Sequence, residues 1–200
     1  MRQMGGETLV LSSNDMQLGR GETIADTARV LSRYCDAIMI RAAHHANLTE
    51  LAAAATVPVI NGLTDLTHPC QVMADVMTLE EHEGPLKDQT VAWVGDGNNV
   101  TASWIHAVGR LGGRLRIGCP SELRPSPEVL AWAGEVGADV MVTESPEEAV
   151  SGAGCVITDV ARPLDLSAED VARRPDVMVV ESGEIELPGE VTMRDIGLPP

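Results

Sequence analysis

The sequence predicts an α/β protein made of two parallel-sheet halves joined by a long helix. Three observations carry that reading. Apolar clusters of strand length alternate with helical patterns along most of the chain. One helical pattern, His68 to Glu83, is longer than the rest and interrupts the alternation midway. A Gly-rich turn, Gly95-Asp96-Gly97-Asn98-Asn99, follows a strand and precedes a helix in the second half. Strand–helix alternation of this kind implies parallel sheets with helices packed on their faces.

In the first half, Thr8 to Leu11 reads as a short strand and Ser12 to Gly21 as a polar loop. Ile24 to Tyr34 reads as a helix with Ile24, Ala28, Leu31 and Tyr34 on one face. Ala37 to Ile40 is a continuous apolar run, expected as a buried strand. Asn47 with Glu50 three positions on predicts an N-cap and capping box for a helix over Leu48 to Ala55. Val57 to Ile60 is the next strand. The long helix then opens at His68-Pro69, where proline is tolerated because its missing N–H would be unpaired. Val72, Met73, Val76 and Met77 form its apolar stripe, and Gly84-Pro85 end it.

The second half continues with a strand from Thr90 to Val94, the Gly-rich turn and a helix from Thr101 to Leu111. A strand (Leu115 to Gly118), a helix (Glu128 to Val136), a strand (Val140 to Thr143), a short helix (Pro146 to Val150) and a strand (Cys155 to Thr158) follow. From Ala161 the chain becomes acidic and proline-punctuated. A helix over Ala168 to Arg174 and a strand over Val177 to Val180 are expected there.

Composition narrows the function. A formal net charge of −16, no Phe, one Tyr and three Trp argue against nucleic-acid binding, which needs positive charge and stacking platforms. No window approaches the roughly 18 apolar residues of a membrane helix, and the start lacks a secretory pattern. Cys35, Cys70, Cys119 and Cys155 form no CxxC pair, so they are expected as buried, reduced thiols. His44, His45, His82 and His106 lack metal-ligand spacing and are expected to be solvated or structural.

Four segments carry chemistry. His68-Pro69-Cys70-Gln71 sits at a helix start, where free N–H groups favour an anion. There His68 either donates to such a ligand or merely caps the helix. Arg41 follows a strand directly, a position from which guanidinium groups pair with phosphate or simply meet solvent. The Gly95–Asn99 turn lacks the third glycine of a dinucleotide fingerprint, because Val100 stands there. No acidic residue ends the following strand, and a turn presenting Asn side chains to a polar ligand explains the segment better. Asp159 ends a strand as a carboxylate suited to an ammonium group or to capping the next turn.

Taken together these segments resemble the ornithine carbamoyltransferase family. Gln17-Leu18-Gly19-Arg20-Gly21-Glu22, Asp26 to Arg33, Val57 to Leu63, His68-Pro69-Cys70-Gln71 and Gly95-Asp96-Gly97-Asn98-Asn99 stand in the family's order and spacing. The resemblance covers roughly residues 7 to 160. It implies a partial carbamoyl-phosphate-binding domain over 1–67, an inter-domain helix over 68–84, a partial Rossmann-like ornithine-binding domain over 85–160 and a divergent tail over 161–200. Both halves are thus incomplete relative to the family.

The resemblance also implies roles. Arg41 and His68 would polarise the carbamoyl carbonyl, and Gln71 would bind its amide, making these three the catalytic set. Pro69 and Cys70 complete the substrate-binding segment. Gln17 would contact carbamoyl phosphate, reaching a neighbouring subunit's active site in a homotrimer. Asn99 and Asp159 would hold the amino-acid end of L-ornithine. The implied reaction needs no metal or cofactor and belongs to cytoplasmic arginine biosynthesis. The family's Ser-x-Arg-Thr loop, its Ser-Met-Gly segment after Thr158-Asp159-Val160 and its His-Cys-Leu-Pro segment find no counterpart in these 200 residues, so little turnover is expected. A nicotinamide-dependent reductase and a non-catalytic small-molecule-binding module are the competing readings.

Overall fold

The computed structural model describes residues 1–11, 22–159 and 178–182. The loop over Ser12 to Gly21, with Gln17, and the helix expected over Ala168 to Arg174 lie outside the described residues. The chain divides into two compact units, Met1–Cys70 and Gln71–Pro200. Both are α/β with parallel strands, as the alternation predicts.

The first unit contains α1 (Ile24–Leu31), β1 (Ile38–Arg41), α2 (His45–Ala54) and β2 (Val59–Leu63), with β1 and β2 paired in parallel. Thr23 starts α1 by accepting from Asp26 N at 3.1 Å, and Asp26 pairs with Arg29 one turn on at 2.6 Å. Ala28, Ile38 and Leu51 form the buried core, flanked by Ile24, Leu31, Ile40 and Val59.

Four expectations are corrected in this unit. Thr8 to Leu11 forms no strand; Leu9 and Val10 are exposed, and no described strand pairs with them. Helix α1 stops at Leu31, so Tyr34 falls beyond it and is exposed rather than on the buried face. β1 is not fully buried: Met39 is 64% exposed, so the apolar run marks a half-covered strand. The capping box at Asn47 does not form, because α2 already starts at His45. Asp65 takes the capping role from outside the helix, accepting from His45 N at 2.9 Å.

The second unit holds nearly all of α3 (Pro69–Glu83), since the division falls after Cys70. It continues with β3 (Thr90–Val94), α4 (Asn99–Leu111), β4 (Arg114–Gly118), α5 (Pro127–Glu135), β5 (Asp139–Thr143), α6 (Pro146–Val150), β6 (Cys155–Asp159) and β7 (Met178–Ser182). All pairings are parallel, in the order β5-β4-β3-β6-β7. The last strand overlaps the stretch expected from Val177 to Val180 but runs on to Ser182, and it pairs Val156 with Val179.

Alternation along β3 feeds two cores, as period-two side chains must. Val91 and Trp93 join Leu115, Ile117, Cys155 and Ile157 beneath α3, α4 and α5. Ala92 and Val94 face the other way, with Ala153 and Val156. The stripe of α3 also needs correction. Val72, Val76 and Leu79 are buried, but Met73 and Met77 are 48% and 61% exposed. A core-facing stripe at i, i+4 and i+7 passes through Leu79 and leaves both methionines on its flank. Of the four thiols expected to be buried, Cys119 and Cys155 are, whereas Cys35 and Cys70 are only partly so. Burial pushes the Cys155 thiol up to about 12, with the Asp75 and Glu83 charges adding to the effect.

Candidate functional site

The expected contact residues fall in both units, and Gln17 lies outside the described residues. Arg41, His68, Pro69 and Cys70 belong to the first unit; Gln71, Asn99 and Asp159 belong to the second.

In the first unit Arg41 ends β1, at a register break between Ile40 and Arg41 that pairs Arg41 with Leu63. Gly62 makes room for it. A Cβ at Gly62 would stand 3.1 Å from Ile40 O and 3.2 Å from Arg41 Cγ, tighter than ordinary packing allows. Because β1 and β2 run parallel, the chain leaves β2 at the same sheet end that carries Arg41. It then makes a tight turn, with Thr64 N donating to Thr67 O at 2.9 Å, and reaches His68 and Pro69. Thr64 is fully buried, and its hydroxyl accepts from Thr67 N at 3.2 Å. His45 Nδ1 lies 2.9 Å from the same hydroxyl, a structural role for that histidine. Asn61 Nδ2 donates to Thr67 Oγ1 at 2.8 Å, and Cys70 Sγ donates to Asn61 O at 3.2 Å. The His68-Pro69-Cys70 segment is thereby tied to β2 on both sides.

In the second unit the strand order locates a crevice. The chain moves outward from β3 through β4 to β5, then returns to place β6 on the other side of β3. In an open α/β sheet ligands bind at that reversal, outside the carboxyl ends of the two strands. β3 ends there in the Gly95–Asn99 turn, and β6 ends in Asp159. The turn is tightly seated: a Cβ at Gly97 would collide with Pro125 N and the Arg124 carbonyl carbon.

Asn98, the neighbour of the expected contact Asn99, links the ends of these two strands. Its Oδ1 accepts from Val100 N at 2.9 Å and Thr101 N at 3.1 Å, capping α4. Its Nδ2 donates to Asp159 Oδ2 at 2.8 Å. One side chain thus closes the helix start and orients the carboxylate 61 residues away. Asn99 is the next residue, the first of α4. Asn before a helix signals an N-cap, so the capping role was open to prediction; the reach to Asp159 was not.

The same geometry disfavours a dinucleotide. A pyrophosphate needs the turn's free N–H groups. Here Gly95 N donates to Gly118 O at 3.1 Å, Gly97 N to Leu123 O at 2.6 Å, and two α4 donors go to Asn98.

Gln71, in the first turn of α3, donates from Nε2 to Asp75 Oδ1 at 2.8 Å. Asp75 is 96% buried, a residue the sequence reading did not single out. Its signal was there: a carboxylate inside the Val72–Val76–Leu79 stripe. Burial holds the Asp75 pKa above its ordinary 3.8, against the opposing influence of Gln71 and then Trp104; the charge of Asp159 raises it further. Trp104 Nε1 stands near enough to favour the carboxylate, yet neither it nor Asp75 Oδ2 completes a hydrogen bond. His106 packs edge-on against Trp132 at 4.7 Å, and burial lowers its pKa, a structural setting. No metal-binding group of His, Cys, Asp or Glu occurs among the described residues, and none of their helices is long and apolar enough to cross a membrane.

One unit thus carries a parallel sheet that reverses its strand order at β3, and the other a βαβ unit whose first strand ends in Arg41, an architecture of the α/β class in which ligands bind at the carboxyl ends of strands. Residues 1–81 match the carbamoyl-P binding domain of aspartate/ornithine carbamoyltransferase, and residues 87–179 match its Asp/Orn binding domain. The second match runs past the limit of residue 160 drawn from the sequence motifs. An ornithine carbamoyltransferase of Rhodopseudomonas palustris (strain BisA53) is 61% identical over 159 residues, 80% of this chain and 51% of that protein. The one from Brucella ovis is 54% identical over 179 residues, 90% of this chain and 57% of that protein. The solved ornithine carbamoyltransferase of Pyrococcus furiosus superposes with a TM-score of 0.82 at 41% identity, covering 100% of this chain and 70% of that one. That of Burkholderia thailandensis E264 gives 0.83 at 37% identity, covering 99% and 69%. The chain belongs to the aspartate/ornithine carbamoyltransferase family. It spans about half the length of the curated relatives it matches.

Proposed function

We propose that this chain carries substrate-contacting residues for transfer of the carbamoyl group from carbamoyl phosphate to the side-chain amine of L-ornithine, giving L-citrulline and phosphate. The observation that carries this reading is the 61% identity to an ornithine carbamoyltransferase across 80% of the chain. The neutral amine attacks the carbonyl carbon, the C–O bond to phosphate breaks, and the amine's proton leaves with the departing phosphate or to solvent. Arg41 and His68 stabilise the negative charge that builds on the carbonyl oxygen. Pro69 and Cys70 hold the segment between His68 and Gln71, and Gln71 accepts from the carbamoyl –NH2. Asn99 and Asp159 hold the amino-acid end of ornithine, and Gln17 reaches a neighbouring subunit's site. The setting is cytoplasmic arginine biosynthesis in a homotrimer, without metal or organic cofactor, since positioning and electrostatics supply the catalysis.

Calorimetric titration with carbamoyl phosphate tests this. Binding is expected, and Arg41→Ala should weaken it by about tenfold or more, the equivalent of one charge-assisted hydrogen bond of about 1.5–3 kcal/mol. Equal heats for the two proteins would remove Arg41 from the site. Binding of a nicotinamide dinucleotide, and not of carbamoyl phosphate, would overturn the reading as a whole.

A further inference from the structure

The apolar face of α3 contains one charged residue. Val72, Val76 and Leu79 pack into the core, and Asp75 lies among them, 4% exposed. A leucine would suit that face better, and a buried carboxylate is unfavourable unless its neighbours favour the charge. Its polar neighbours are both donors: the Gln71 amide at 2.8 Å and, further off, the buried Trp104 indole N–H.

An ionised carboxylate only accepts hydrogen bonds, so the Gln71 amide must turn its –NH2 toward Asp75. The amide oxygen, Oε1, is then the group turned away. Without Asp75 the amide is free to rotate and present either end. The contact spans four residues of one helix, so it forms from α3 alone.

We propose that Asp75 is a positioning residue that fixes Gln71 with its amide oxygen outward, so that this position selects a ligand bearing –NH2 over one bearing a methyl group. The proposal rests on the reading of Gln71 as the carbamoyl contact. Asp75 acts through Gln71 and touches no reacting atom. A carboxylate kept only for folding would have no bearing on which ligand binds.

The test compares the affinity of the full chain for carbamoyl phosphate, acetyl phosphate and inorganic phosphate. Acetyl phosphate carries a methyl where carbamoyl phosphate carries –NH2. The wild type should prefer carbamoyl phosphate about fivefold or more, the worth of one hydrogen bond. Gln71→Ala and Asp75→Leu should both bring that preference to about onefold, and Asp75→Leu should leave inorganic phosphate binding unchanged. Asp75→Asn, which still offers an oxygen acceptor, should keep it. Full preference in Asp75→Leu would overturn the proposal alone, as would loss of preference in Asp75→Asn equal to that in Asp75→Leu. A wild type that binds neither acyl phosphate would overturn the carbamoyl reading itself. Side-chain amide NMR of the wild type gives a check that needs no folded Asp75 variant. The Gln71 Nε2 protons, assigned through Gln71→Ala, should be shifted and protected; free-glutamine values would overturn the proposal.

Discussion

Asp75 and Asp65 are two carboxylates of one chain whose surroundings act on them in opposite directions. Burial raises the Asp75 pKa above 3.8, so the folded chain holds that proton to higher pH than the unfolded chain does. Between 3.8 and the raised value the folded state binds more protons, and Asp75's contribution to stability falls as pH rises through that window. Asp75→Asn removes this titration. Its melting temperature relative to wild type is expected to be higher at pH 7 than at pH 3.5; a difference that does not change with pH would contradict the burial account. Asp65 is exposed and behaves conversely. The His45 backbone N–H lowers its pKa foremost, with His44 assisting. A lowered folded value means stability that is present above 3.8 and lost as pH falls through it. Asp65→Ala should therefore melt below the wild type at neutral pH, and the gap should close in acid.

At the scale of elements, periodicity located almost everything in the second unit and misjudged details in the first. β3 was legible to the residue, because the apolar run Val91 to Val94 stands between polar Asp88-Gln89-Thr90 and the Gly-rich turn, and the strand is buried throughout. The cap of α2 was illegible, because its acceptor, Asp65, comes from a turn 20 residues away. The stripe of α3 was half legible. Val72 and Val76 were right, and Met73 and Met77 were chosen for hydrophobicity where helical angle decides. The consequence is measurable. Leu79→Ala should cost about 2–5 kcal/mol in denaturant unfolding, the usual cost of emptying a core leucine site. Met77→Ala should stay within about 0.5 kcal/mol, as for other surface changes. Equal losses would return Met77 to the core. The candidate site follows the same rule: Arg41, Gln71 and Asp159 stood out as polar residues at element ends, while the bonds of Asn98 and Asp75 depend on folding.

For the molecule as a whole, the family's Ser-x-Arg-Thr loop and His-Cys-Leu-Pro segment are not found in these 200 residues. Losing one preorganised donor costs about 10²–10³ in rate, and groups acting together cost more. The 200-residue polypeptide is therefore expected to form little or no citrulline in a colorimetric assay, with its mass checked by light scattering. Family-like turnover abolished by His68→Ala would show that its remaining residues or a neighbouring subunit supply those donors. The reversal in strand order also sets a timetable for folding. β3 and β4 are joined through α4 and can pair early, but the other flank of β3 waits for β6, with Val91 opposite Cys155. Contacts of such sequence separation close slowly. During synthesis the ribosome releases Met1–Cys70 first, and domains fold as they emerge. The second unit meanwhile holds Ala92 and Trp93 on an unpaired strand edge until residues 156 and 157 are free. That interval is when a chaperone has most to protect.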